Sequence, residues 1–229
     1  MFWNEDGAQD TAYKVPDDII DLSFVIECKC LPLDHAHALS TGLQAALPWL
    51  GTEAAAGIHL IHGAESGNGW YRPQETEGAL LHLSRRTRMS LRLPKERIEA
   101  ARALEGRQLD IAGHALTVGA ASIKPLNAVS TLFARHVAMD SADLSEAEFL
   151  HMVVSEMRGL NIRVNKILCG RAHDLHMPEG VMHTQSVMVA DLEPEEAVIL
   201  QQKGIGPGRK VGCGLFLAHK GIKPVKETH

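Results

Sequence analysis

Thirteen histidines, a run of arginines and a glycine-rich segment holding two cations are the parts of this 229-residue chain that could do chemistry. An imidazole changes charge near neutral pH and can take or give a proton there. A well-placed proton-transfer group is worth roughly 10²–10⁴ in rate. His35 and His37 stand two apart at a helix start, hence on different faces, and His59 and His62 follow beyond the helix end. His173 and His176, in RAHDLH, resemble a loose metal pair. Without a third histidine or cysteine in that motif, they read as structural.

Arg85, Arg86, Arg88 and Arg92 fall on or between strands. Along a strand, Arg86, Arg88 and Arg92 would share one face, and three cations on one face suit a polyanion better than a core. In residues 204–214, GIGPGRKVGCG, five of eleven residues are glycine. Glycine is needed where φ turns positive or where backbone approaches another chain closely. With Lys203 before it and Arg209 and Lys210 inside it, such a loop could offer amides and cations to phosphates. It lacks the order of a nucleotide P-loop, and it follows a helix instead of opening one.

The net charge of −5 argues against indiscriminate coating of a polyanion, but the distribution is uneven. Residues 1–34 carry eight acids against Lys14 and Lys29, whereas 81–107 carry eight Lys or Arg against three glutamates. Residues 203–226 hold six cations and no acid. Two basic islands on an acidic chain can bind a polyanion locally. Cys28, Cys30, Cys169 and Cys213 lack the paired spacing of a zinc site, so no metal is expected. The acidic N-terminus is no secretory signal and no stretch is long and apolar enough for a membrane span, so a cytoplasmic protein is expected.

The elements that must position these groups read as α+β. Residues 1–20 are taken as a loose arm. From Asp21, Leu22, Phe24, Ile26 and Cys28 alternate with polar neighbours, a half-buried strand continuing to Leu33. Asp34 stands at an N-cap position, before Leu39, Leu43 and Leu47 at helical spacing. An apolar segment at 58–61, a glycine-rich loop at 63–69 and strands at 80–83 and 89–93 follow. A helix opened by Pro94 and a hairpin around Gly113 close the first half. The second half repeats the order. It has a strand at 128–138, a helix at 145–158 with a Ser145–Glu148 capping box, strands near 161–168 and 181–190, a helix at 194–203 and a last strand at 212–217. Each half is βαββαβ, so the reading is two tandem ferredoxin-like (RRM-like) domains at 21–120 and 128–220, the second carrying the glycine-rich loop.

LPLDHAHAL after the first strand, GIHLIHG, LHLSRRTRMSLRLP and ADLEPEEAVILQQKGIG running into the basic pair and GCG resemble the Cas-six family of CRISPR RNA endoribonucleases, most of all its myxobacterial subtype. The resemblance spans most of the chain and implies the same two-domain fold. It implies metal-independent cutting of CRISPR repeat RNA without a small-molecule cofactor. The ribose 2′-hydroxyl attacks the neighbouring phosphate and leaves 2′,3′-cyclic phosphate and 5′-hydroxyl ends. By spacing from LPLDH the family's catalytic histidine corresponds to His59, with His35 the rival. The family often adds a tyrosine or lysine; here Gln44, Tyr71 and Arg72 stand in the corresponding region. Repeat RNA or crRNA, and other Cas subunits of an effector complex, are the implied partners. Arg85, Arg86, Arg88, Arg92, Lys203, Arg209 and Lys210 are the implied RNA contacts. A non-catalytic RNA-binding subunit of that complex is the alternative. An RRM module would need aromatics on its central strands, and LHLSRR and MSLRL have none.

Overall fold

The computed structural model describes residues 13–63, 78–139 and 141–219. Most of the 63–69 loop, Tyr71, Arg72 and the lysines beyond 219 lie outside the described residues.

Strand β1 (Ile19–Glu27) buries Ile20, Leu22, Phe24 and Ile26, the alternation a half-buried strand demands. The expected continuation to Leu33 is broken. β2 (Cys30–Pro32) leaves the main sheet and pairs with β4 (Leu80–His82) as a separate ribbon. Between them in sequence lie α1 (Ala36–Ala46), a single turn α2 (Trp49–Thr52) and the short β3 (Gly57–Ile58). α1 buries Leu39 and Leu43. β5 (Arg88–Pro94), α3 (Ile98–Arg102), β6 (Gln108–Ile111) and β7 (His114–Pro125) complete the half. The sheet runs β3-β5-β1-β7-β6 with every pair antiparallel.

The second half consists of β8 (Leu132–Ala138), α4 (Glu146–Gly159), β9 (Lys166–Met177), β10 (Gly180–Ala190), α5 (Pro194–Lys203) and β11 (Leu217–Ala218), in the sheet order β11-β8-β10-β9. Numbered within each half, both sheets have the order 4-1-3-2 once the extra hairpin strand β6 is set aside. This is the ferredoxin-like plan twice over. The α4 capping box forms as expected: Glu148 N–H donates to Ser145 Oγ at 3.3 Å, and Ser145 N–H to Glu148 Oε2 at 2.9 Å.

Three local expectations change. β9 lies later than 161–168 and pairs with β10 along a long hairpin. Residues 212–216 are not strand, because the glycine backbone there turns repeatedly. Asp34 does not cap α1: His35 takes the cap position without a side-chain bond, and the Asp34 carboxylate accepts from the second half. Each half has its own apolar core. A third cluster spans them, with Ala36 of α1, Leu175 of β9 and the loop residue Cys213 in contact with Leu60, Met182 and Val211.

Candidate active site at the junction of the two halves

β5 presents Arg88, Ser90 and Arg92 on one face, as the period of two requires. The second half covers that face at its far end. Arg92 is fully buried and is not the polyanion contact expected of it. Its Nε and Nη2 donate to the two carboxylate oxygens of Asp21, each at 2.8 Å. Its Nη1 donates to the carbonyls of Gln201 (2.7 Å) and Phe216 (2.9 Å). A buried guanidinium persists only when paired and saturated in this way. Arg92 is therefore a staple from the first sheet to α5 and the segment after the glycine loop.

Asp21 is held in turn. Burial pushes its carboxyl up, but the Arg92 charge and the hydrogen bonds from His59 and Arg92 outweigh burial and hold it well below the usual carboxylate range. His59 Nε2 lies 3.1 Å from Asp21 Oδ1. An ionised carboxylate only accepts, so Nε2 carries the proton and Nδ1 is the lone-pair nitrogen of the neutral ring. No hydrogen bond engages Nδ1 among the described residues. The chain Arg92–Asp21–His59 thus fixes the tautomer and orientation of one imidazole. β3 positions it, since the chain continues the strand far enough for His59 N–H to reach the Ser90 carbonyl at 3.0 Å.

His59 lines a pocket of about 100 Å³ between the halves, with His62, Arg135, His136, Gly212 and His219 also in its wall. That volume accepts a phosphate-sized group. Among the described residues its wall holds four histidines and a guanidinium and no carboxylate, an arrangement with the chemistry to receive an anion and exchange protons.

His35 does not share this pocket. The ring is 3% exposed; Nδ1 lies 3.0 Å from the Pro32 carbonyl and 3.2 Å from that of Leu33, and Nε2 accepts from Ile61 N–H at 3.1 Å. With both nitrogens spent, His35 ties the entry of α1 to the segment carrying His59 and has none to offer a substrate.

The glycine loop behaves in the same inward fashion. Gly204, Gly206, Gly208, Gly212 and Gly214 all have positive φ. A Cβ on Gly204 would stand 2.2 Å from the Gly214 carbonyl oxygen, so the two ends of the loop touch backbone to backbone. Arg209, expected to face phosphates, donates instead to the carbonyls of Lys203 (2.6 Å), Gln202 (3.1 Å) and, in the first half, Ala55 (3.0 Å). Lys210 Nζ donates to the carbonyls of Glu53 and Ala56, both at 2.5 Å. Burial, reinforced by the Arg209 charge, pulls the Lys210 ammonium down to about 8. The loop is an interdomain lock, and of its three expected cations Lys203 alone keeps an exposed side chain.

Arg85 and Arg86 are exposed on the turn between β4 and β5, and Arg88, the exposed first residue of β5, donates from Nη1 to the carbonyls of Arg85 (3.0 Å) and Thr87 (2.9 Å). The turn holds itself: Thr87 N–H donates to the Ser84 carbonyl at 3.0 Å and Arg86 N–H to Ser84 Oγ at 3.2 Å. Gln44 donates to Ser40 within α1 and reaches no reacting group. Asp21 was missed as a site residue, because its alternation marks only a strand start and its partners lie 38 and 71 residues away. On the β9–β10 hairpin, His176 and His183 pair with Asp34 (2.6 Å) and Asp174 (2.8 Å). No metal-binding group of three or more ligands forms among the described residues.

Residues 20–221 match the family model described as Cas6 Crispr. The CRISPR-associated endonuclease Cas6 of Myxococcus xanthus is 30% identical over 198 residues, covering 86% of this chain and 80% of that protein. The chain belongs to the Cas6 family. Solved structures agree in fold at low identity. A CRISPR-associated protein Cas6 superposes with a TM-score of 0.60 at 12% identity, over 88% of this chain and all of the other. A Cas6-related protein from Pyrococcus furiosus gives 0.57 at 12%, over 92% and 100%. The myxobacterial likeness read from the motifs is thus found over most of the chain, and in this chain the junction pocket is lined by the segment after β3, by β8, by the end of the glycine loop and by β11. Among the described residues no helix is long and apolar enough to cross a membrane.

Proposed function

We propose that this Cas6-family chain is an endoribonuclease that cuts CRISPR repeat RNA without a metal ion. The observation that carries the reading is the Arg92–Asp21–His59 chain, which holds one imidazole in the wall of an interdomain pocket with its Nδ1 in no hydrogen bond among the described residues. Family membership and a 30% identical relative named an endonuclease support it. In this reading His59 Nδ1 takes the proton of the ribose 2′-hydroxyl as the 2′-oxygen bonds to phosphorus. Arg135 balances the charge gathering on the phosphate. The bond from phosphorus to the 5′-oxygen breaks, and that oxygen takes a proton from a second imidazole of the same wall, His62 or His219. The products are a 2′,3′-cyclic phosphate and a 5′-hydroxyl. Asp21 holds the imidazolium that forms, as the orienting carboxylate of a nucleophile–base pair does.

Arg85, Arg86, Arg88 and Lys203, the expected RNA contacts that remain exposed, supply the backbone attraction. Retention of the cut product within an effector complex with other Cas subunits completes the reading. The test is incubation of repeat RNA with the protein in excess EDTA, followed by end-group analysis and native gel electrophoresis. A cyclic-phosphate end and a product that stays bound are expected. A 3′-hydroxyl end, or cutting that needs added metal, would overturn the metal-independent mechanism; immediate product release would overturn retention.

A further inference from the structure

A groove of about 600 Å³ lies at the other end of β1, where the β1–β2, β4–β5 and β6–β7 turns meet. Of its wall, the function proposed above uses Arg85 alone, as a backbone contact. Glu27 is six residues along the strand from Asp21, so the groove is on the order of 20 Å from the His59 pocket at about 3.3 Å per residue. Its wall includes Lys29 and Arg85, both exposed, and the self-bonded arginine turn delivers Arg85. Neither Lys29 nor Arg85 is ion-paired among the described residues. Glu27, Ser84, His114, Cys28 and Cys30 are the other polar groups of the wall, with Cys30 Sγ 3.7 Å from His114 Nδ1.

We infer that this groove holds an unpaired nucleotide of the RNA that flanks the cleavage site. The inference rests on the proposed repeat-RNA reading and names where the strand is gripped. The size falls in the range of small-ligand pockets, about 300–1,000 Å³, and matches a flattened nucleotide better than a duplex. Two cations at the rim meet the phosphate. The Arg85 guanidinium plane and the His114 ring are both groups on which a base can stack. The Glu27 carboxylate accepts from an exocyclic base amine, and His114 can donate or accept at the base edge. RNA proteins read sequence mostly on such splayed, single-stranded bases.

The two cysteines make the test direct. Alkylation of the intact protein at mildly alkaline pH, with and without repeat RNA, reads Cys28 and Cys30 in the groove against Cys169 on the second sheet. RNA should slow labelling at Cys28 and Cys30 at least about fivefold and leave Cys169 unchanged. Lys29→Glu and Arg85→Glu should each weaken repeat-RNA binding and lower the log–log salt slope by about 0.7, one single-strand phosphate contact. An RNA trimmed of its unpaired flank should lose affinity for the native protein and no further affinity for the Lys29→Glu/Arg85→Glu double variant. If labelling and salt slope do not change while the native protein still cuts repeat RNA, the groove inference is wrong and the nuclease reading stands. If the native protein neither binds nor cuts that RNA, both are wrong.

Discussion

The turn at 85–88 and the segment at 204–214 both set arginine or lysine among small and polar residues, yet the first leaves Arg85 and Arg86 in water and binds Arg88 only to carbonyls of its own turn, whereas the second turns its cations against carbonyls of the other half. The difference is what lies over each. The β4–β5 turn projects past the sheet, and its hydrogen bonds close within four residues. The glycine loop sits between the halves, where five positive-φ residues curl the backbone and aim Arg209 and Lys210 at Glu53, Ala55 and Ala56. Arg92 joins the second group although it belongs to the first in sequence, because the far end of β5 runs under the second half. Positive charge at a domain junction is structural when unpaired carbonyls face it, and available to a polyanion when only water does.

The largest effect should come from the buried cation. Arg92→Ala leaves Asp21 and two carbonyls without their donor and should cost about 3–5 kcal/mol, the range for breaking a buried pair. Chemical denaturation reads it, and a loss under 1 kcal/mol would return Arg92 to the exposed class. Next is Gly214→Ala. The positive φ costs about 1–2 kcal/mol for an L-residue. The added Cβ would also stand 2.2 Å from the Ile205 carbonyl oxygen, so the total should exceed that range.

Acid should act on the same junction. The Asp21 pKa is lowered in the fold, so its contribution is complete above the unfolded carboxylate value near 4 and is lost as pH falls through the folded value. Asp21→Asn should lose less stability than the native chain between pH 6 and pH 3; an equal loss would mean Asp21 is not held by Arg92. The smallest effect belongs to the exposed turn. Arg86→Ala should change stability by no more than about 0.5 kcal/mol, as surface substitutions do. In the same protein RNA affinity should fall, and a melting shift as large as that of Gly214→Ala would erase the contrast between the two regions.

Much of the fold was legible because period and punctuation agree. β1 alternates cleanly, α4 carries its capping box, and α5 runs from Pro194 to a glycine. The repeat of the order in the second half showed the tandem plan. The candidate site was legible only in outline. The family resemblance pointed to His59 as the candidate, but a sequence does not reveal that Asp21 lies beside it or that β5 is roofed at Arg92 and open at Arg88. His35 was the rival to His59, and its two nitrogens are consumed by carbonyls and an amide that no periodicity predicts. The glycines told that backbone must turn sharply at 204–214. They did not tell which way the cations between them would point.

The central claim is that His59, oriented by Asp21 and Arg92, moves the proton that starts RNA cleavage. The most direct measurement is the single-turnover rate of repeat-RNA cutting in EDTA by His59→Gln against the native protein, at saturating enzyme and with RNA affinity measured alongside. A fall of about 10²–10⁴ with affinity retained is predicted, the range for losing one proton-transfer group. A rate within a few-fold of native would contradict it.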